Sequence, residues 1–197
     1  MFVQVIEGRV ADRDRLRQQL DRWSEELRPG ASGFLGSTSG VSDDGRAIML
    51  ARFESADAAR ANSERPEQGS WWADTESCFD GEVTFSDSED VEEYLAGGSD
   101  DAGFVQVMKY SGVDRARIKE MEGDLDQLAS FRPDLIGGVR VWTGPDSVVE
   151  AAYFTSEAEA REGEKKPPPP EFAEQTAEFE AVMANTEFID LRDPWLV

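Results

Sequence analysis

The sequence predicts an α+β fold made of two copies of one β-α-β-β-α-β module. Three observations carry that prediction: an internal repeat over nearly the whole chain, a matched pair of amphipathic helices, and strand-like runs bounded by turn residues. Phe2-Val3-Gln4-Val5 returns as Phe104-Val105-Gln106-Val107, an offset of 102, and Asp12, Arg13, Arg15 and Leu16 return at the same offset as Asp114, Arg115, Arg117 and Ile118. Arg28-Pro29 matches Arg132-Pro133 at an offset of 104, which reads as two residues gained within or after the first helix. Phe53, Ser55, Arg60 and Pro66 match Phe154, Ser156, Arg161 and Pro167 at 101, which reads as three residues lost where Val41 to Gly45 faces the shorter Pro145-Asp146. A hairpin turn tolerates such a loss. Trp71, Thr75 and Cys78 then match Phe172, Thr176 and Phe179.

Each element has a local reason. Phe2 to Val10 is rich in β-branched and aromatic residues, and Asp12 offers an N-cap to a helix whose Leu16, Leu20, Trp23 and Leu27 share one face. Pro29-Gly30 ends that helix. The second copy repeats the pattern with Asp114 as cap and Ile118, Met121, Leu125 and Leu128 as the stripe. Phe34 to Val41 and Arg46 to Phe53 read as strands joined through Asp43-Asp44-Gly45. A short Ala-rich helix follows Ser55, then a proline break and a second helical stretch with Trp71, Trp72, Thr75, Cys78 and Phe79. Val83-Thr84-Phe85 and Phe188 to Leu191 close the copies as strands, giving the ferredoxin-like order. Residues 1–87 and 103–197 are thus the two modules. The acidic, Gly-containing stretch 88–102 reads as a linker, most pliant at Gly97-Gly98, and Pro167 to Pro170 as a stiffened loop.

The Phe-Val-Gln-Val strand, the amphipathic helix ending in Arg-Pro, and the passages from Ala51 to Arg60 and from Ala152 to Arg161 resemble the antibiotic biosynthesis monooxygenase family and its wider dimeric α+β barrel superfamily. The resemblance implies that the two modules pair sheet to sheet as an intramolecular barrel. It also implies a monooxygenase-like enzyme, independent of cofactors, acting on an aromatic or polyketide-type small molecule that itself supplies electrons to oxygen. The same barrel hosts other chemistries, so a non-catalytic small-molecule binding or accessory protein stands as the alternative. Family members often carry a His after the third strand, which the haem-degrading branch uses as an axial ligand. This chain has no His, and Asn62 and Gly163 stand at that place. Haem, a His base and His-rich metal sites are therefore not expected.

Five residues emerge as candidates for binding a small hydrophobic or aromatic ligand: Trp72, Arg52, Asn62, Trp142 and Tyr153. Trp71 aligns with Phe172 and reads as core, whereas Trp72 aligns with Ala173, so packing common to both copies does not demand it. It reads either as a pocket wall or as a surface indole. Arg52 and Tyr153 align on the third strands and, with the Asn62 amide, would orient a polar arene; a rim ion pair is the other reading of Arg52. Trp142 faces Thr38, and Tyr110 faces Gly8, so the two copies cannot be chemically equivalent. Gln4 and Gln106 interrupt both first strands and read equally as pocket groups or as a hydrogen-bonded pair between copies. Cys78 aligns with a Phe and reads as a buried structural residue.

Charge narrows the partners. With 42 acidic against 20 basic residues the net charge is −22, a field that repels nucleic-acid phosphates and anionic membranes. No apolar run approaches the roughly 20 residues that cross a bilayer. The single cysteine and the absence of a signal-like start predict a cytoplasmic protein. Tethered pairing predicts a monomer with an internal pseudo-dimer, a further dimer of barrels being the alternative.

Overall fold

The computed structural model of the protein describes residues 1–121, 125–167 and 184–197. It divides into two compact units, Met1–Val91 with Asp193–Val197, and Glu92–Arg192. The first unit runs β1 (Phe2–Arg9), α1 (Arg13–Arg22), a π-helical turn at Trp23–Leu27, β2 (Phe34–Val41), β3 (Arg46–Phe53), α2 (Ala56–Ser63), α3 (Pro66–Glu76) and β4 (Thr84–Ser88). Next come β5 (Val91–Leu95), β6 (Phe104–Ser111), α4 (Arg115–Met121), α5 (Leu125–Phe131), β7 (Leu135–Trp142), β8 (Ser147–Phe154), α6 (Glu157–Glu164), β9 (Glu187–Leu191) and β10 (Trp195–Leu196). Two antiparallel five-stranded sheets result, ordered β10-β2-β3-β1-β4 and β5-β7-β8-β6-β9. Among the described residues no helix is long and apolar enough to cross a membrane.

The caps fall where the repeat predicts them. Asp12 Oδ1 accepts from Arg15 N and Asp114 Oδ1 from Arg117 N, each at 3.0 Å, while Ser55 and Ser156 cap α2 and α6. Leu16 and Leu27 are buried on the first helix and Ile118 on the second, and Cys78 is fully buried, its thiol pushed up by that burial. Strand alternation sends odd positions of β3 to the helix-covered face, where Ala47 and Met49 pack with Ile6, Leu16 and Val41. On β8 the even positions do the same: Val148, Ala152 and Phe154 pack with Phe104, Met108 and Ile118. The opposite faces carry Val3, Val5, Ile48 and Leu50 in one unit and Val105, Val107, Val139 and Ile189 in the other, all buried.

Register corrects the repeat in three places. Phe34 and Leu135 both pair with the closing Phe of the next strand, and both strands then slip at a bulge. The hairpin loops are equal in length, with Ser42 N donating to Arg46 O and Thr143 N to Ser147 O, so no residues are lost there. Glu54 N bonds Gly33 O as Thr155 N bonds Asp134 O, which aligns Arg132-Pro133-Asp134 with Ala31-Ser32-Gly33 rather than matching the two Arg-Pro pairs. Up to the third strand the one length change is a single residue lost between Leu16 and Ala31; the closing strands, where Ser88 pairs with Val3 as Leu191 pairs with Val105, show that the second copy gains two residues before them. Trp142 accordingly stands opposite Val41, not Thr38, because Val41 pairs with Ala47 as Trp142 pairs with Val148.

The stretch read as a linker is partly a strand. β5 follows β4 in the chain yet joins the second sheet beside β7, and β10 follows β9 yet joins the first sheet beside β2. An edge strand leaves a row of unpaired N–H and C=O groups, and each ferredoxin-like set of four here has one such edge covered by a fifth strand. The matches of Phe172, Ala173, Thr176 and Phe179, and the prolines after Pro167, lie outside the described residues.

Candidate functional site

Strand alternation separates the predicted site residues. Trp72 lies on the helix-covered side of the first unit, its ring 6.0 Å from Trp71 and edge-on to Phe85 at 5.2 Å. Arg52 is one residue out of phase with Met49 and Phe53 and projects to the opposite face, where it lies across Gly36; a Cβ there would stand 2.6 Å from its Nη2. Asn62 is buried in α2 and accepts from Arg65 Nη1 at 2.8 Å, while the same Nη1 bonds Leu27 O at 3.0 Å. The amide thus fixes an arginine that ties α2 to the exit of the first helix. In the second unit Arg132 makes that tie from the other side: it forks onto Asp134, reaches Ala160 O and lies over Gly163, the residue that replaces Asn62. Tyr153 is fully buried on the face opposite Trp142. Gln4 and Gln106 each donate to a carboxylate on the neighbouring edge strand, Asp87 at 3.1 Å and Asp190 at 3.0 Å.

Trp142, by contrast, belongs to a polar cluster on the helix-covered face of the second sheet. Glu150 on β8 is directly opposite Arg140 on β7, and Arg140 Nε donates to Glu150 Oε2 at 2.8 Å; both residues are only 6% exposed. Two phenols share the same carboxylate. Tyr110 on β6 donates to Oε2 at 2.6 Å and Tyr94 on β5 to Oε1 at 2.9 Å. Tyr94 reaches it because Gly138 has no side chain: a Cβ there would lie 1.8 Å from the Tyr94 ring carbon Cζ. Burial first, and then the Glu150 charge, raise both phenols above their ordinary value, so they remain hydrogen-bond donors.

From this core the charges run outward. Arg140 Nη1 stands 3.4 Å from Glu92 Oε2, and Glu92 Oε1 takes Arg115 Nη2 at 2.6 Å and Lys119 Nζ at 3.5 Å. The Arg115 guanidinium also lies 5.0 Å over the Trp142 ring. Burial pushes the Glu92 carboxyl up, but Arg115, the Trp142 indole and the Arg140 charge reverse this, and the net shift is downward. Exposure rises along the chain, from 7% for the Arg140 side chain through 21% for Glu92 to 58% for Lys119. Among the described residues no group of three or more His, Cys, Asp or Glu is placed to hold a metal ion.

The same positions of the first unit are apolar or small. Register sets Met49 where the second unit has Glu150, Ser39 where it has Arg140, and Gly8 where it has Tyr110. Phe79 fills the room over Gly8, and Trp195 from β10 packs into the core with Met49. Beside Ser39 a cleft of about 190 Å³ remains, walled by Leu20, Trp23, Ser37, Trp195 and Leu196. Sequence reasoning singled out Trp142 and noted Tyr110 but missed Glu150, Arg140, Tyr94 and Glu92. The readable signal was a charge at a helix-facing position in each of two adjacent strands, Val139-Arg140-Val141 and Val149-Glu150-Ala151.

No protein-family model and no curated protein matches the sequence. Solved structures are similar in fold. A candidate monooxygenase from Lactobacillus acidophilus NCFM superposes with a TM-score of 0.68 at 12% identity, covering 100% of this chain and 98% of its own. One from Fusobacterium nucleatum gives 0.71 at 9% identity, covering 96% and 90%. An anthrone oxidase-like protein gives 0.59 at 10%, covering 99% and 93%. Over its whole length, then, the chain has the α+β fold of the antibiotic biosynthesis monooxygenase-like proteins.

Proposed function

We propose that the chain is a monooxygenase-like enzyme for a small hydroxyarene of the aromatic or polyketide type, with its chemistry centred on Glu150. One observation carries this reading: a buried carboxylate that accepts hydrogen bonds from two phenols at once, Tyr94 and Tyr110, beside a guanidinium. The site is already built to hold a phenolic hydroxyl. Tyr94 sits on an edge strand and is half-buried, so a substrate hydroxyl entering along β5 takes its place on Oε1. Arg140 Nε, 3.2 Å from the Tyr110 oxygen, stabilises negative charge as it develops on an arene oxygen.

The proton transfer constrains the substrate. A carboxylate is a weaker base than a phenolate, so the transfer needs a substrate more acidic than a simple phenol. The site therefore suits a hydroxyarene acidified by conjugation to a carbonyl. Such a ring gives four electrons to dioxygen: the carbon opposite the hydroxyl takes one oxygen atom and becomes a quinone carbonyl, and the other oxygen leaves as water. Anthrone, whose carbonyl acidifies the opposite C–H and whose anion is that of a hydroxyarene, is a suitable probe. Oxygen uptake is expected with the full chain, and Glu150→Gln should lower kcat by about 100-fold or more with the fold retained by circular dichroism. Tyr94→Phe should lower KM, since it removes the competing phenol. Uptake no faster than the protein-free blank, or undiminished in Glu150→Gln, would sink the reading. Saturable hydroxyarene binding without uptake would favour the non-catalytic binding protein instead, as the mutual satisfaction of Glu150, Arg140 and the two tyrosines allows.

A further inference from the structure

We infer that the first unit carries a second ligand site, chemically distinct from the Glu150 cluster, that takes a small neutral arene bearing a hydroxyl. The site is the cleft beside Ser39, between the helix-covered face of β2, the short β10 and the end of α1. Three independent features point to it.

The first is a difference between equivalent positions. In the second unit Arg140 and the Tyr94 ring over Gly138 occupy this place on the sheet. In the first unit Ser39 and Ser37 stand at those positions, and a volume of about 190 Å³ is left. That is below the roughly 300 Å³ of ordinary small-molecule pockets, so it fits one or two fused rings rather than a larger polycycle.

The second is Ser39 itself. It is 3% exposed and lines the cleft, and among the described residues its hydroxyl has no hydrogen-bond partner. The oxygen opens onto the cleft, so a ligand hydroxyl there can bond it in place of water. The third is the π-helical turn at Trp23–Leu27, which contributes Trp23 and Ser24 to the wall. Such turns are rare and recur at functional sites. Between Trp23 and Trp195 the cleft has two indole walls, Leu20 and Leu196 add aliphatic surface, and Arg17 with Asp21 closes the rim as a 2.9 Å ion pair. With the rim charges paired to each other and a chain charge of −22, a neutral ligand is preferred to an anion.

The test uses 1-naphthol, a neutral two-ring hydroxyarene, with naphthalene as the control that lacks the hydroxyl. Titration of the full chain, read through the indole N–H signals in proton–nitrogen NMR, should shift Trp23 and Trp195 with a dissociation constant on the order of 10–100 µM. Ser39→Ala should weaken 1-naphthol by about 5- to 10-fold and leave naphthalene unchanged, the loss expected for one buried hydrogen bond. Ser39→Leu should fill the cleft and abolish the Trp23 and Trp195 shifts, whereas Glu150→Gln should leave them in place. Shifts confined to Trp142, no saturable shift at Trp23 or Trp195 up to millimolar ligand, or equal affinity in the wild type and Ser39→Ala would each overturn the inference. Since Ser39→Ala removes one oxygen atom only, it decides the matter even if Ser39→Leu fails to fold. Failure of the Glu150 reading leaves these shifts untouched, so the two outcomes are distinguishable.

Discussion

Arg140→Met is expected to destabilise the second unit by about 3–5 kcal/mol, because it leaves the Glu150 carboxylate buried with no cation beside it. Glu150→Met should cost a similar amount. It takes from Arg140 its 2.8 Å carboxylate partner and from Tyr94 and Tyr110 their acceptor. The double variant should cost at least about 2 kcal/mol less than the sum, since the desolvated charges disappear together. The first unit shows that this sheet position does not need charge for folding: Met49 stands in Glu150's place inside an apolar core, and the uncharged Ser39 in Arg140's place beside the cleft. Urea unfolding followed by the fluorescence of Trp142, the one indole of the second unit, measures each term. Additive single costs would mean that the four groups do not act as one network.

The outer part of the network sets the acid response. Glu92 is held below its ordinary value, so its stabilising contribution is present above the unfolded pKa, about 4.3, and is lost as pH falls through the lower folded value. Asp134 behaves likewise: burial pushes it up, but the Arg132 hydrogen bonds and charge carry it down overall. The second unit is therefore expected to loosen below about pH 4, with β7 amide exchange rising first. Glu92→Gln should flatten that response. An unchanged acid midpoint in Glu92→Gln would remove Glu92 from the account.

How far the sequence was legible follows from which features are local. Caps, hairpins and helix faces depend on residues within a turn or two of one another, so Asp12, Ser55 and their counterparts announce themselves. The matched Arg-Pro pairs misled because two identical dipeptides outweigh strand register when only letters are compared, whereas the Asp134 and Gly33 carbonyls settle the alignment. Arg52 and Tyr153 were grouped with Trp72 and Trp142 although strand alternation puts them on the other faces, a period-2 fact that the letters already contained. Tyr94 and Trp195 were beyond reach for a different reason. Each reaches its sheet by pairing with a strand at least 40 residues away, and nothing local in Val91 to Leu95 or Trp195-Leu196 says which edge it will cover.

Trp195→Ala is expected to lower the stability of the first unit by about 3–5 kcal/mol, the usual cost of truncating a buried Trp, and to leave the second unit unmoved. The indole is 5% exposed and packs with Ile6, Leu16, Val41, Met49 and Cys78, so its removal opens the centre of that core rather than its margin. Arg17 lies 5.3 Å and Arg13 5.9 Å from its ring, and those contacts go with it. Removing Asp193–Val197 altogether should cost more. The backbone of Val197 exchanges two hydrogen bonds with Ser37, at 2.7 and 3.1 Å, and without them β2 becomes an open sheet edge. Trp195→Phe should recover most of the loss, because it keeps an aromatic side chain in the core while leaving the strand in place. Two-step urea unfolding of the full chain separates the units, with Trp142 fluorescence following the second unit and hydrogen exchange at β2 following the first. A Trp195→Ala variant within about 1 kcal/mol of the wild type, or one that weakens both units equally, would show that β10 is not what completes the first core.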